Sequence, residues 1–264
     1  MKYFLREMRV ETVCEQALCP NIGECFVRKV ATFLILGRQC TRGCSFCNIA
    51  KGKPQPVDIN EPGRVAEAVK SLALKHVVIT SVTRDDLHDG GAAIFADTVL
   101  RIRRALPAVT IELLIPDFNL SAEALEVVVA ASPEIIAHNV ETVPSLYPVV
   151  RRGADYGRSL KVLRGIKKIS AQVKTKSGFM LGMGETQEEV YSVMNDLLSA
   201  GCDFLSIGQY LAPSRAHYPV KEFVTPERFM HYKREAIKLG FAHIECGPYV
   251  RSSYMAGEYL DTRR

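Results

Sequence analysis

The chain has 264 residues, 47% hydrophobic and 24% charged, a composition that supports a sizeable buried core and excludes intrinsic disorder. No apolar run approaches the roughly 18 residues needed to cross a bilayer, and residues 1–6 lack a signal-peptide core. Lysine and arginine outnumber aspartate and glutamate by 34 to 29, a net charge of +5, too small and too evenly spread for a dedicated nucleic-acid binder but suited to an acidic protein partner.

Cysteines open the chain: six of the eight lie between Cys14 and Cys47. Without an export signal the expected compartment is the cytoplasm, where structural disulfides are rare and thiols serve metal or redox chemistry. Short apolar runs then predict six strands, at 30–36, 76–82, 110–115, 134–139, 172–181 and 204–210. Helical patterns fill the gaps between them. Ser121 caps one helix over 122–131, the Thr186 to Glu189 spacing is a capping box for a second that stops near Gly201, and Thr225 with Pro226 opens a third that stops near Gly240. Alternating strands and helices mean a parallel sheet. Six units fall short of the eight in a closed barrel, so the α/β class narrows to an incomplete (β/α)6 TIM-like barrel or an open doubly wound sheet.

Cys40, Cys44 and Cys47 form C-x3-C-x2-C directly after the first strand, the strand end at which βα folds keep their chemistry. Three thiolates without a fourth Cys or His nearby suit a [4Fe–4S] cluster with one iron open to an outside ligand. A structural zinc site would want a fourth ligand. The loop resembles the signature of radical S-adenosylmethionine (SAM) enzymes, whose open iron takes the amino and carboxylate groups of SAM; Phe46 also matches. Cys14, Cys19 and Cys25 make a second triplet, C-x4-C-x5-C, that resembles the auxiliary-cluster motif of lipoyl synthases. The similarity continues through S-V-T-R-D-D-L at 81–87, I-P-D-F at 115–118, H-N-V-E-T-V-P at 138–144, K-T-K-S-G at 174–178, G-Q-Y-L at 208–211 and R-S-S-Y at 251–254.

The resemblance implies a radical SAM enzyme that inserts two sulfur atoms at C6 and C8 of a protein-bound octanoyl chain, with two [4Fe–4S] clusters and SAM as co-substrate. An aliphatic C–H bond has no acidic proton and no leaving group, so such a reaction needs a radical. By the resemblance, Cys40, Cys44 and Cys47 hold the SAM-cleaving cluster. Cys14, Cys19 and Cys25 hold the auxiliary cluster, the sacrificial sulfur donor, with Ser253 as fourth ligand or Ser252 in its place. An alkoxide holds iron less tightly than a thiolate, which suits a corner that must be released. Asn139 and Glu141 suit the ribose diol of SAM. Gly182 and Gly184 either let the backbone approach adenine or are turn glycines. Arg84 is expected to pair the carboxylate of SAM or an acid of a partner.

Lys174 and Lys176 alternate along the fifth strand and point to one face, which the expectation places in the lumen near its mouth, against a carboxylate, a cluster sulfide or a substrate carbonyl. His138 reads as a satisfied core histidine and Cys202 as a small buried hydrophobe, with Cys246 a candidate neighbour of the auxiliary cluster. Thr83 stands where the resemblance implies aspartate, which leaves that position's role open. The chain begins thirteen residues before Cys14, where the resemblance implies a longer arm, so partner docking is expected to weaken before chemistry does.

The expected organisation is an N-terminal auxiliary-cluster segment (1–29), the partial barrel (30–240) and a C-terminal segment (241–264) carrying the serine ligand and closing over the barrel mouth. Implied partners are the octanoylated lipoyl domain of a 2-oxoacid dehydrogenase E2 subunit or the glycine cleavage H protein, an electron donor such as flavodoxin or ferredoxin, and iron–sulfur cluster assembly proteins, with no nucleic acid and no membrane. A biotin synthase-like enzyme acting on a free small molecule would not be expected to join the N-terminal triplet to R-S-S-Y. A non-catalytic iron–sulfur carrier would need neither Asn139 and Glu141 nor the glycines at 182 and 184.

Overall fold

The computed structural model describes residues 2–260. In chain order the elements are α1 (Lys2–Glu7), β1 (Glu11–Thr12), α2 (Val13–Gln16), α3 (Ile22–Val27), β2 (Val30–Ile35), α4 (Glu61–Ser71), β3 (His76–Ser81), α5 (Ala92–Ala105), β4 (Thr110–Leu114), α6 (Ala122–Ala130), β5 (Ile135–Ala137), α7 (Tyr147–Val150), α8 (Tyr156–Ile169), β6 (Lys174–Leu181), α9 (Gln187–Ser199), β7 (Phe204–Gln209), α10 (Pro226–Leu239) and β8 (His243–Gly247). β2 to β8 lie side by side in chain order, each parallel to the next, and only β1 runs antiparallel, against β2. A doubly wound sheet reverses its order at a switch point. This sheet does not reverse, and its first and last strands do not pair, so it is an open partial barrel.

Among the described residues the parallel strands of this sheet number seven, where the sequence predicts six, and a separate two-stranded parallel ribbon pairs Gln39–Cys40 with Ala50–Lys51. The added strand is β8, whose His243 to Gly247 register against Phe204 to Gly208 of β7. Its alternation of half-buried His243 and Glu245 with buried Ile244 and Cys246 gives a short edge strand with a weak apolar signal. The predicted caps are present: Thr186 and Glu189 form the capping box of α9, and the Ser121 and Thr225 side chains accept N–H bonds at the starts of α6 and α10. Helix stripes such as Phe95, Val99 and Ile102 of α5 and Val190, Val193 and Leu197 of α9 are buried against the sheet. Gly240 ends α10 with φ 110°, a left-handed cap that favours glycine.

The gap between β2 and β8 is filled from both ends of the chain. Asn21 Nδ2 donates to the Tyr249 carbonyl at 2.6 Å, and Arg28 pairs with Glu258 at 3.3 Å. The C-terminal segment supplies β8, then a stretch of lumen wall at 250–254, and then a floor, where the Tyr259 ring packs on Phe204 and His243 at centroid distances of 5.5 and 4.6 Å. Residues 261–264 of that segment lie outside the described residues.

The floor also corrects the placement of two lysines. Lys174 and Lys176 are the first and third residues of β6, so they sit at the base of a strand whose later residues Gly178 and Met180 reach the cavity. Lys176 is fully buried, forks onto both oxygens of Glu112 at 3.1 and 3.3 Å, and lies 3.8 Å from the Tyr259 ring centre. Burial pushes the Glu112 carboxyl up, and Lys176 and His76 more than reverse this. Lys174 pairs with Asp203 at 3.4 Å. Neither lysine is at the mouth.

Candidate functional site

Cys40, Cys44 and Cys47 lie on the loop after β2, and the neighbouring strand ends hold that loop in place. The Thr83 N–H donates to Cys40 Sγ at 3.3 Å, Thr41 binds the Thr83 carbonyl through both N–H and hydroxyl, and Ser45 N–H donates to the Val150 carbonyl at 2.9 Å. Arg42 is the main brace. Its guanidinium takes both carboxylate oxygens of Asp117 at 2.7 Å, both of Asp85 at 2.8 and 2.9 Å, and the Asn119 carbonyl oxygen at 3.0 Å. Burial pushes Asp117 up, and Arg42 more than reverses this, holding it at about 2. Phe118, Asn119 and Leu120 all have φ between 44° and 63°, a left-handed run of non-glycine residues that persists only where surrounding contacts over-determine it. Arg42 and Arg158 supply those contacts through Asp117 and Asn119.

The second triplet faces a cavity of about 260 Å³ inside the partial barrel. Cys14 of α2, Cys19, Cys25 of α3 and Ser253 all line it, together with Asn139 and Glu141. Ser252 Oγ donates to Asn139 Oδ1 at 3.2 Å, so this serine already has a partner. Arg251 lies near Cys19, its Nη1 bound to the carbonyls of Val250 and Pro248 at 2.7 and 3.4 Å. Apolar walls come from Val30, Ala31, Leu114, Phe179 and Met180.

Glu141 connects the two triplets: it lines the cavity, and its charge is felt by Cys44 and Cys47. Burial pushes its carboxyl up, with the Arg151 guanidinium and the Asn139 amide pulling back. Its φ of 66° is left-handed, and its N–H and carbonyl join Gly178 and Met180 of β6 at 3.0 and 2.9 Å, which turns the side chain toward the lumen.

Both triplets fit iron–sulfur clusters by their donor chemistry. Burial, helped by the fellow cysteines of each triplet, pushes the thiols of Cys25 and Cys47 up to about 11. Cys14 and Cys44 are raised in the same way. Such thiols give up their protons when a metal takes the protons' place. All eight cysteines are free. Among the described residues no three side chains close on one point as ligands of a single ion would, so the fit rests on the donor set.

Other expected residues lie elsewhere. Arg84 is buried outside this cavity, its guanidinium on Asp86 at 2.8 and 2.9 Å and on the Leu36 carbonyl at 3.2 Å. Gly182 and Gly184, with φ 91° and 111°, shape a turn whose N–H groups at 182 and 183 bind Glu185; neither lines the cavity. His138 is a satisfied core histidine, bonded to the Ile115 carbonyl and Ser159 and pushed by burial down to about 4. Cys202 is buried against the Phe204 carbonyl, and Cys246 donates to the Phe229 carbonyl of α10, outside the lumen.

Sequence reasoning missed Arg42, Arg151 and Gly208, and took Gly178 only as part of a glycine-rich strand end resembling one that meets adenine. Arg42 stands in plain view inside C-x3-C, but its acid partners are 43 and 75 residues away. A Cβ on Gly178 would lie 2.4 Å from Ser206 Oγ, and one on Gly208 would lie 2.1 Å from the Val250 carbonyl oxygen. Both glycines are there for close approach.

The sequence model of the radical SAM superfamily matches residues 34–197. A lipoyl synthase of Geobacter metallireducens is 60% identical over 98% of this chain and 91% of its own length. A lipoyl synthase of Geobacter sulfurreducens is 61% identical over 98% of this chain and 85% of its own. Among solved structures, the FeFe-hydrogenase maturase HydG from Carboxydothermus hydrogenoformans superposes with a TM-score of 0.63 at 13% identity, covering 88% of this chain and 65% of that one, a likeness of fold.

Proposed function

The chain belongs to the lipoyl synthase family of the radical SAM superfamily, and from that membership we propose how its residues share the insertion of two sulfur atoms at C6 and C8 of a protein-bound octanoyl chain. When loaded, one [4Fe–4S] cluster supplies the electron that splits SAM to methionine and a 5′-deoxyadenosyl radical, and the other supplies the sulfur. Cys40, Cys44 and Cys47 would hold the first cluster; Cys14, Cys19, Cys25 and Ser253 would hold the second. Asn139 and Glu141 offer a donor and acceptors to the ribose diol. Arg42, Asp85 and Asp117 fix the first cysteine loop. Leu114, Phe179 and Met180 keep water from an octanoyl chain on which a radical forms.

The observation that carries this reading is the single lumen. One cavity of about 260 Å³ is lined by Asn139 and Glu141 and also by Cys14, Cys19, Cys25 and Ser253, so one bound chain could meet both hydrogen abstraction and the sulfur source. The segments 1–29, 30–240 and 241–264 then serve as auxiliary-cluster holder, SAM barrel and serine-bearing closure. The substrate is an octanoyl-lysine arm of a lipoyl domain or H protein, because an arm enters a cavity that a folded domain cannot. Flavodoxin or ferredoxin as reductant, cluster assembly proteins as suppliers and the cytoplasm as compartment complete the proposal. Replacing Cys40, Cys44 and Cys47 with alanine should leave about four irons per chain and abolish 5′-deoxyadenosine formation. Surviving SAM cleavage would overturn the division of labour.

A further inference from the structure

The loops that follow the strands are unevenly charged. Residues 36–57 hold four lysines and arginines, 143–154 two and 210–221 two, and none of the three stretches contains an aspartate or glutamate. These stretches meet around the first cysteine loop. Ser45 N–H donates to the Val150 carbonyl and Tyr218 N–H to the Ser45 carbonyl, both at 2.9 Å, while Phe46, Val150, Tyr210 and Tyr218 share one apolar cluster. The acids of the rim are already engaged: Asp85 and Asp117 with Arg42, Asp86, which shares a surface hollow with Lys53, with Arg84, and Asp89 with the N–H groups of Gly91 and Ala93 at the start of α5. Lys51, Lys53, Arg152 and Arg215 are exposed, and among the described residues none of the four has an ion-pair partner. Exposed Val149 and Leu211 stand among them.

We propose that these unpaired basic residues of the rim form the docking face for an acidic carrier domain, with Lys51, Lys53, Arg152 and Arg215 receiving its carboxylates while its acylated lysine arm enters the lumen. The proposal rests on the functional reading above. Its physical basis is that the mouth carries uncompensated charge of one sign, and such a patch steers an oppositely charged partner and fixes its register more than it adds raw affinity. The cavity holds an acyl arm and no folded chain, so recognition of the domain has to occur outside it, at the mouth.

The test compares two substrates. The variant Lys51→Glu, Lys53→Glu, Arg152→Glu, Arg215→Glu should raise the half-saturating concentration of an octanoylated lipoyl domain about tenfold or more at low salt, four exposed charge contacts each being weak alone. Turnover of a short octanoylated peptide with neutral flanks should hold within about twofold, and the wild-type preference for the domain should fade with salt, since exposed charges are screened beyond about 8 Å at physiological ionic strength. A control with the same charge change on outer helices, Lys70→Glu, Lys161→Glu, Arg164→Glu, Lys168→Glu, should leave the domain's value unchanged. An equal loss in the control, an equal loss on the peptide, or no loss on the domain overturns the proposal. If the wild type thiolates neither substrate, the functional reading fails instead; titration calorimetry of wild type and variant against the same domain then decides docking without turnover.

Discussion

Replacing Gly208 with alanine should separate sulfur insertion from SAM cleavage. The new Cβ would lie 2.1 Å from the Val250 carbonyl oxygen and 3.0 Å from its carbon. Both obstacles are backbone, so no rotamer change relieves them. Strand β7 cannot give way either, being paired to β6 on one side and β8 on the other. An ordinary contact begins near 3.4 Å, so the segment from Val250 to Ser253 must retreat by about 1.3 Å. Misplacement of a reacting group by about 1 Å costs on the order of a hundredfold in rate, and here it falls on the wall that carries Ser253 and leaves Cys40, Cys44 and Cys47 untouched. With anaerobically reconstituted protein, 5′-deoxyadenosine is followed by chromatography and thiolated product by mass spectrometry. The expected outcome is near-normal 5′-deoxyadenosine with about a hundredfold less thiolated product. Wild-type amounts of product, or both readouts falling together, would refute the reasoning.

Ser253→Ala should likewise cleave SAM without thiolated product, while Ser253→Cys should retain iron and slow sulfur insertion; side-by-side product and iron analysis checks both, and full activity of Ser253→Ala would shift attention to Ser252. Asp117 is held at about 2 by Arg42, a lowered value, so its stabilisation is complete above the ordinary carboxylate range and is lost as pH falls from about 4 toward about 2. Asp117→Asn should flatten that part of the urea midpoint against pH and lower the midpoint at pH 7; parallel curves for the two proteins would remove the role assigned to the Arg42 brace. Lys176→Ala should cost about 3–5 kcal/mol by leaving the Glu112 charge buried without its lysine, whereas Lys176→Met with Glu112→Leu should be close to neutral; thermal unfolding distinguishes the two, and equal losses would mean that the pair stabilises the floor in its own right.

Much of the barrel was legible because its strands are short β-branched runs separated by capped helices, and local caps such as Thr186 with Glu189 depend only on neighbouring residues. The cysteine spacings were legible for the same reason, since each triplet sits within one short stretch of chain. Height along a strand was not. Alternation correctly puts Lys174 and Lys176 on one face of β6, yet whether that face is at floor or mouth depends on where the strand pairs with β5, which registers Lys174 against Ile135. Gly178 and Gly208 could not be told from ordinary strand glycines, because what excludes a Cβ there is Ser206 in one case and Val250 in the other. β8 was missed because its positions on the floor side, His243 and Glu245, carry charge-capable side chains bonded to each other at 2.8 Å.

The lumen wall built from Cys14, Cys19 and Cys25 on one side and Val250 to Tyr254 on the other also sets an order of events during biosynthesis. The loop at 40–47 and the strand ends that brace it, up to Val150 and Tyr218, are made well before the last residues emerge. The second site has nothing to close against until the end of the chain arrives and Asn21 finds the Tyr249 carbonyl. Bringing residues that far apart together carries a loop-closure cost, which the intervening barrel has already met by holding both ends at one opening. On the division of residues proposed above, the first cluster's loop would be complete in a chain still being synthesised, and the second site only once residues 250–254 are in place. A protein cut short between residues 218 and 250 would keep the first cysteine loop with its braces and lack part of the cavity wall.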